Sequence, residues 1–220
     1  MASYGAKYPK FAPITKEPMD ALPEYEESVV IGRLVKADLT VEMASGKLYA
    51  DDELAESVDE FVSAAIAMET DDMEDKVASV VYGAEVKEKK VHYKVGDTPP
   101  LGGLAYYKVL MRGGKKIYRG YFYPKAKAAL GNDNAASKTN SITFGTNSTS
   151  FTVFAANTGD WRITEELESE AAARAWVDAQ LSGVAAETIS TTDAENQAAD
   201  APVAGANKET AKAVTPINSK

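Results

Sequence analysis

The chain of 220 residues contains no cysteine. Disulfides and thiolate metal sites are therefore closed to it, and the fold has to hold by packing or by assembly. Histidine is nearly absent too: His92 stands alone. That removes the usual constructions in which an imidazole activates a nucleophile, and a single His beside Tyr93 in the strand-like run VHYKV reads as a surface or interface residue. The glycine patterns that cradle phosphates, GxGxxG and GxxxxGK followed by Ser or Thr, are missing, so nucleotide chemistry is not indicated. No stretch has the apolar length to span a bilayer, and the first residues lack the basic and apolar regions of a signal peptide. These absences lead us to expect a non-enzymatic protein without cofactor or metal, soluble in the compartment where it is made.

Positive charge is missing from one long window. Between Leu48 and Asp75 there is no Lys or Arg, whereas Asp51, Asp52, Glu53, Glu56, Asp59 and Glu60 crowd the first part and five further carboxylates follow from Glu69 on. The chain as a whole stands at formal net charge -9, so this window carries more than the entire excess. One explanation is a solvated acidic loop followed by carboxylates that complement a helix dipole. The other is an acidic working surface. A calcium loop fails on pattern, because the alternating Asp/Asn ligands, central Gly and terminal Glu of an EF-hand are not there. Paired carboxylates with no apolar residues interleaved also argue for exposure rather than a tuned acid and base.

What remains is an ordinary globular composition, 45% hydrophobic and 26% charged, enough for one sizeable core plus a tail. Residues 1–27, with Pro9, Pro13, Pro18 and Pro23 among Tyr4, Tyr8, Phe11 and Ile14, are spaced too irregularly for a regular element. They read as an extended arm whose apolar residues dock on a neighbouring subunit or move freely. Residues 28–43 are rich in β-branched side chains and alternate over Leu39, Val41 and Met43, which predicts strands. Ala44, Ser45 and Gly46 then make a turn, and 51–60 an acidic loop. Along 61–68, Val62, Ala64, Ile66 and Met68 share one face at period two, hence a strand. Helical spacing of Met73, Val77, Val80 and Val81, with Asp71 and Glu74 in capping-box positions and Gly83 as a left-handed stop, predicts a helix over 72–82.

A charged strand is predicted over 85–95. The clearest hairpin follows, 104–111 and 115–123 across Gly113-Gly114, whose freedom at positive φ suits a tight turn. A polar loop at 131–140 leads to short strands at 141–144 and 150–155. A second helix is predicted over 164–181, capped by Thr164 and burying Leu167, Ala171, Ala175 and Leu181. Residues 184–220 are too polar to offset the entropy of ordering and read as a flexible tail. The sequence thus divides into an arm (1–27), a mainly β body (28–163) with one helix, a C-terminal helix (164–183) and a tail.

The predicted 104–127 hairpin is basic: Lys108, Arg112, Lys115, Lys116 and Arg119 alternate with tyrosines and Phe122. Basic residues among aromatics can stack bases and pair phosphates, so a nucleic-acid-binding module is one reading. Against it, aromatics are ordinary strand formers, lysines guard strand edges, and net acidity opposes phosphate binding. A further reading pairs the acidic stretch of one copy with the basic hairpin of the next, a head-to-tail contact that can close a ring whose remaining interior carboxylates repel a polyanion.

The segments YGAKYPKFAPI, KLYADDELAES, FVSAAIAMETDDMEDKVASVVYG, GGLAYYKVLMRGGKKIYRGYFYPK and GDWRITEELESEAAARAW, in this order over residues 4–181, resemble the major tail proteins of long-tailed, non-contractile bacteriophages of the phi13 type. The resemblance implies an antiparallel β-sandwich or barrel-like subunit with a flanking helix, a C-terminal helix and an N-terminal arm. It implies stacked rings of six around an acidic channel that conducts viral DNA. The implied partners are further copies of the chain, the tape measure protein inside the tube, tail terminator and distal tail proteins at its ends, and DNA in passage without tight binding. The implied location is the virion tail, after synthesis in the bacterial cytoplasm. By position, the arm with Tyr4, Tyr8, Phe11 and Ile14 would bind the next ring. The LYADD loop and the strand after it correspond to the family's long hairpin region; from the charge pattern, Asp51 to Glu60 would serve the channel or a ring contact, and Lys108, Arg112, Lys115, Lys116 and Arg119 a contact between subunits.

Overall fold

A computed structural model describes residues 2–50, 53–88, 90–133 and 145–182. The fold is mainly β and antiparallel. Among the described residues it has eleven strands and two helices: β1 (Ala2–Lys16), β2 (Glu24–Tyr25), β3 (Val29–Val30), β4 (Leu34–Ala50), β5 (Glu53–Thr70), α1 (Asp75–Tyr82), β6 (Glu85–Lys87), β7 (Lys90–His92), β8 (Leu101–Arg112), β9 (Lys115–Asp133), β10 (Asn147–Phe154), β11 (Ile163–Leu167) and α2 (Glu170–Leu181). One nine-stranded sheet runs β2-β1-β8-β9-β10-β5-β4, with β3 also beside β1 and β11 also beside β9; β6 and β7 pair separately. The sheet curls. Phe11 on β1 meets Phe151 on β10, ring centroids 5.8 Å apart, although β8 and β9 lie between those strands in the ladder.

Alternation along the strands sorts side chains into two cores. Phe11, Leu104, Tyr106 and Tyr123 turn inward with Ile66, Met68, Phe151 and Val153, and α1 plugs that interior with Val77, Ala78, Val81 and Tyr82. Their neighbours Ala12, Ala105, Tyr107 and Phe122 face outward and are covered by Ala173, Trp176, Val177 and Leu181 of α2. A Cβ at Gly120 would sit inside the Trp176 ring, so only glycine lets the indole lie flat on β9. The β8–β9 turn forms as predicted: Gly113 and Gly114 both have positive φ, 56° and 79°, as a two-residue type I′ turn requires. Gly83 likewise closes α1 in the left-handed region at φ 71°, its N–H donating to the Ser79 carbonyl at 2.9 Å.

Several expectations need correcting. Residues 2–16 are a strand of the main sheet, not a detached arm. Two register shifts, at Tyr4/Ala6 and Lys7/Lys10, absorb Gly5 and the Tyr8-Pro9 pair, and such bulges hide a strand from a search for strict alternation. The predicted turn at 44–46 is continuous ladder, Ala44 to Gly46 lying opposite Glu60 to Val58. The acidic stretch is accordingly strand from Glu53 on, and β4–β5 is one long hairpin. With solvent on both faces nothing in its polar sequence opposes extension. A register shift at Glu42/Met43 leaves Val62 without a partner in β4, so it does not join the buried face of Ala64, Ile66 and Met68 and is exposed, while Phe61, opposite Met43, packs against the core instead.

Helix α1 begins at Asp75; Glu74 caps it without a side-chain bond, while the Asp71 carboxylate accepts from the N–H groups of Arg33 and Asp72. Residues 163–167 form strand β11 against β9 rather than helix, and Ser169, not Thr164, caps α2 by accepting from the Ala172 N–H at 3.1 Å. The start shift moves the buried side of α2 to Ala173, Trp176, Val177 and Leu181. The charged strand at 85–95 is two short strands about a turn in which Glu88 has φ 46°. The predicted loop at 131–140, apart from its first three residues in β9, the strand at 141–144 and the tail at 184–220 lie outside the described residues.

Candidate assembly surfaces

Hairpin β4–β5 changes character along its length. Its base is a sheet member: β10 pairs with β5 from Thr70 to Ala64, and there Ala37, Ala64, Ile66 and Met68 are buried. Beyond Ala64 the pairing with β10 ends, and among the described residues the two strands continue paired only with each other. Every described side chain from Val41 to Tyr49 and from Glu56 to Glu60 is exposed, on both faces. The exposed set includes Val41, Met43, Leu48, Tyr49, Val58 and Val62, with Leu48 at 58% and Tyr49 at 64%. One aromatic clasp limits the free length: Phe61 stacks on Trp161, centroids 4.6 Å apart.

Register splits the acidic cluster. Leu48 lies opposite Glu56, Gly46 opposite Val58 and Ala44 opposite Glu60, so Glu56 and Glu60 share a face with Leu48 and Val58. Asp59, opposite Ser45, is on the other face with Met43 and Lys47. The sequence suggests one acidic surface; period two divides it. The backbone of Glu53 pairs with Ala50 near the tip, and Asp51 and Asp52 lie outside the described residues.

The basic hairpin β8–β9 is differently placed. Tyr106, Tyr107, Phe122 and Tyr123 are buried in the two cores, so they present no faces on which bases could stack. Arg112 and Arg119 both grip the Glu166 carboxylate, Arg112 through two bonds at 2.9 and 3.1 Å. These bonds, Arg119's first, hold the Glu166 carboxyl below its ordinary pKa. The Lys108 ammonium sits 5.3 Å from the Tyr121 ring centroid and 5.8 Å from that of Tyr106. Lys115 and Lys116, at the turn, are exposed and make no ion pair among the described residues. Of the five basic candidates, those two project cationic ends from the turn.

The arm residues belong mostly to the subunit itself. Phe11 is fully buried, Tyr8 donates from its hydroxyl to Asp178 on α2 at 3.2 Å, and Ile14 is half-buried; Tyr4 alone is largely exposed. Tyr8 has φ 59°, uncommon for a bulky residue, and the bulge that imposes it aims the ring at α2, where Lys10 and Arg174 lie over it. Lys10 reaches Asp178 at 2.6 Å, and the Tyr107 hydroxyl donates to Glu170 at 2.7 Å. These polar ties of α2 were not legible as a pattern, because their members lie 63 to 170 residues apart.

No protein-family model and no curated protein matches this chain. Among the described residues no group of His, Asp and Glu is disposed to hold a metal ion, and no helix is long and apolar enough to cross a membrane.

Proposed function

We propose that the chain is a non-catalytic structural subunit that polymerises with its own copies into a tail tube of the kind its sequence resembles, with stacked six-membered rings around a channel for viral DNA. The observation that carries this is the outer half of β4–β5, a two-stranded ribbon bare on both faces with six large apolar side chains in water. Isolated two-stranded hairpins are marginal in water, and exposed apolar surface of this extent marks a partner site. A ribbon with two bare faces can give one to a neighbouring subunit and the other to the bore. Duplex DNA carries one charge per ~1.7 Å and screening acts over ~8 Å, so carboxylates close to the wall keep the polymer from adhering. Because Glu56 and Glu60 oppose Asp59 across the ribbon, only one of these sets lines the bore. In this reading the tape measure protein occupies the bore before DNA, terminator and distal tail proteins close the ends, and the protein resides in the virion.

The test is sedimentation and negative-stain microscopy of the purified chain over increasing concentration. Rings or tubes are expected from the native sequence, and Leu48→Ser with Val58→Ser should leave folded, solitary subunits. A native chain that stays monomeric throughout would remove the proposal.

A further inference from the structure

A groove of about 1100 Å3 lies beside α1, between that helix and the segment joining β2 to β4. Its rim carries five carboxylates, Glu26, Glu27, Asp71, Asp72 and Glu74. Two cations lie among them. Arg33 is already engaged by Asp71 at 3.7 Å, and Lys76 is the other. Between the charges run the apolar flanks of Ile14, Val29 and Val80. A concave, acidic and partly apolar surface suits a narrow cationic projection whose aliphatic stems can lie on the valines.

The chain carries such a projection at the far end of the same strands. Pro13 and Pro100 line the groove, and Pro13 is paired to Gly102 at the start of β8. Strand β8 then runs twelve residues to Arg112 and the Gly113-Gly114 turn, ~40 Å away for an extended strand. Lys115 and Lys116 sit on that turn, exposed and without ion-pair partners among the described residues. We propose that the Lys115-Lys116 turn of one copy seats in the acidic groove beside α1 of the next. Because knob and groove lie at opposite ends of one strand, the contact is heterologous: it repeats in one direction, closing a ring or propagating a filament according to its rotation. This rests on the self-assembly reading above and names a contact within it. It also replaces the acidic stretch 51–60 as the counterpart of the basic hairpin.

Charge reversal tests it. Lys115→Glu with Lys116→Glu spoils the knob, and Glu26→Lys with Glu74→Lys spoils the groove; all four positions are exposed, and thermal melts confirm folding. Each variant alone should raise the concentration needed for assembly by about tenfold or more, since like charges now face each other. A mixture of the two should co-assemble, the chains alternating so that each native knob meets a native groove and each reversed knob a reversed groove, and the chain bearing all four changes should regain polymerisation through the swapped contact alone. Native-like assembly by either pair of changes would overturn the contact while leaving the assembly reading intact. A native chain that never associates would overturn both.

Discussion

Two hairpins of similar length meet opposite fates in this subunit. In β8–β9, residues 102–107 are buried without interruption, one face on the α1 core and the other under α2. In β4–β5 the base is core, and among the described residues the outer half is exposed apart from the clasp of Phe61 on Trp161. The first is a structure that the single chain finishes. The second leaves its apolar rungs in water among the described residues, which is the surface that the proposed assembly would cover.

The contrast can be broken most forcibly at α2. Removing the indole by Trp176→Ala leaves a cavity over Gly120 and should cost ~3–5 kcal/mol, read as a fall in the thermal midpoint of the isolated subunit. A normal midpoint would mean that α2 is not what seals β8–β9. A milder probe is alkali. Burial, with the Glu170 carboxylate beside it, raises the Tyr107 hydroxyl to about 12 from 10.0, and burial also raises Tyr106 and Tyr123. A tyrosine whose folded value lies above its unfolded one contributes stability that is complete below pH 10 and lost as pH rises through the folded value. For Tyr107 that window is pH 10 to about 12. Circular dichroism should show structure declining there, and Tyr107→Phe should shift the onset upward. The smallest effect belongs to the open hairpin: Leu48→Ser should change the isolated subunit's stability by no more than ~0.5 kcal/mol, measured by urea unfolding below the assembly concentration. A loss comparable to that of Trp176→Ala would show that the ribbon is already packed.

Local chemistry explains what the sequence made legible. Gly113-Gly114 and Gly83 demanded positive φ and were placed correctly, and the helical stripe of Val77 and Val81 marked the buried side of α1. What failed was information supplied from a distance. The bulges at Gly5 and Tyr8-Pro9 break the alternation of β1, whose strand character comes from β8 some hundred residues on. Residues 164–167 have helical composition yet extend because β9 offers a ladder, and Ser169 then starts the helix later. At the candidate surfaces, residue types were visible but not their sidedness. Only the register at Gly46 and Val58 separates Glu56 and Glu60 from Asp59, and only the fold shows Phe11 inside and Lys115 and Lys116 outside.

Strand β1 is held by β8, so it must wait until residue 111 has been made before its ladder can close. Hairpin β4–β5, whose strands adjoin in sequence, needs no such wait and can zip while the rest is still emerging. During translation the sticky ribbon therefore emerges, marginally paired at best, before the body that should carry it. Crowded polysomes are thus where premature association is expected, and slowing synthesis between residues 70 and 111 would lengthen that exposure.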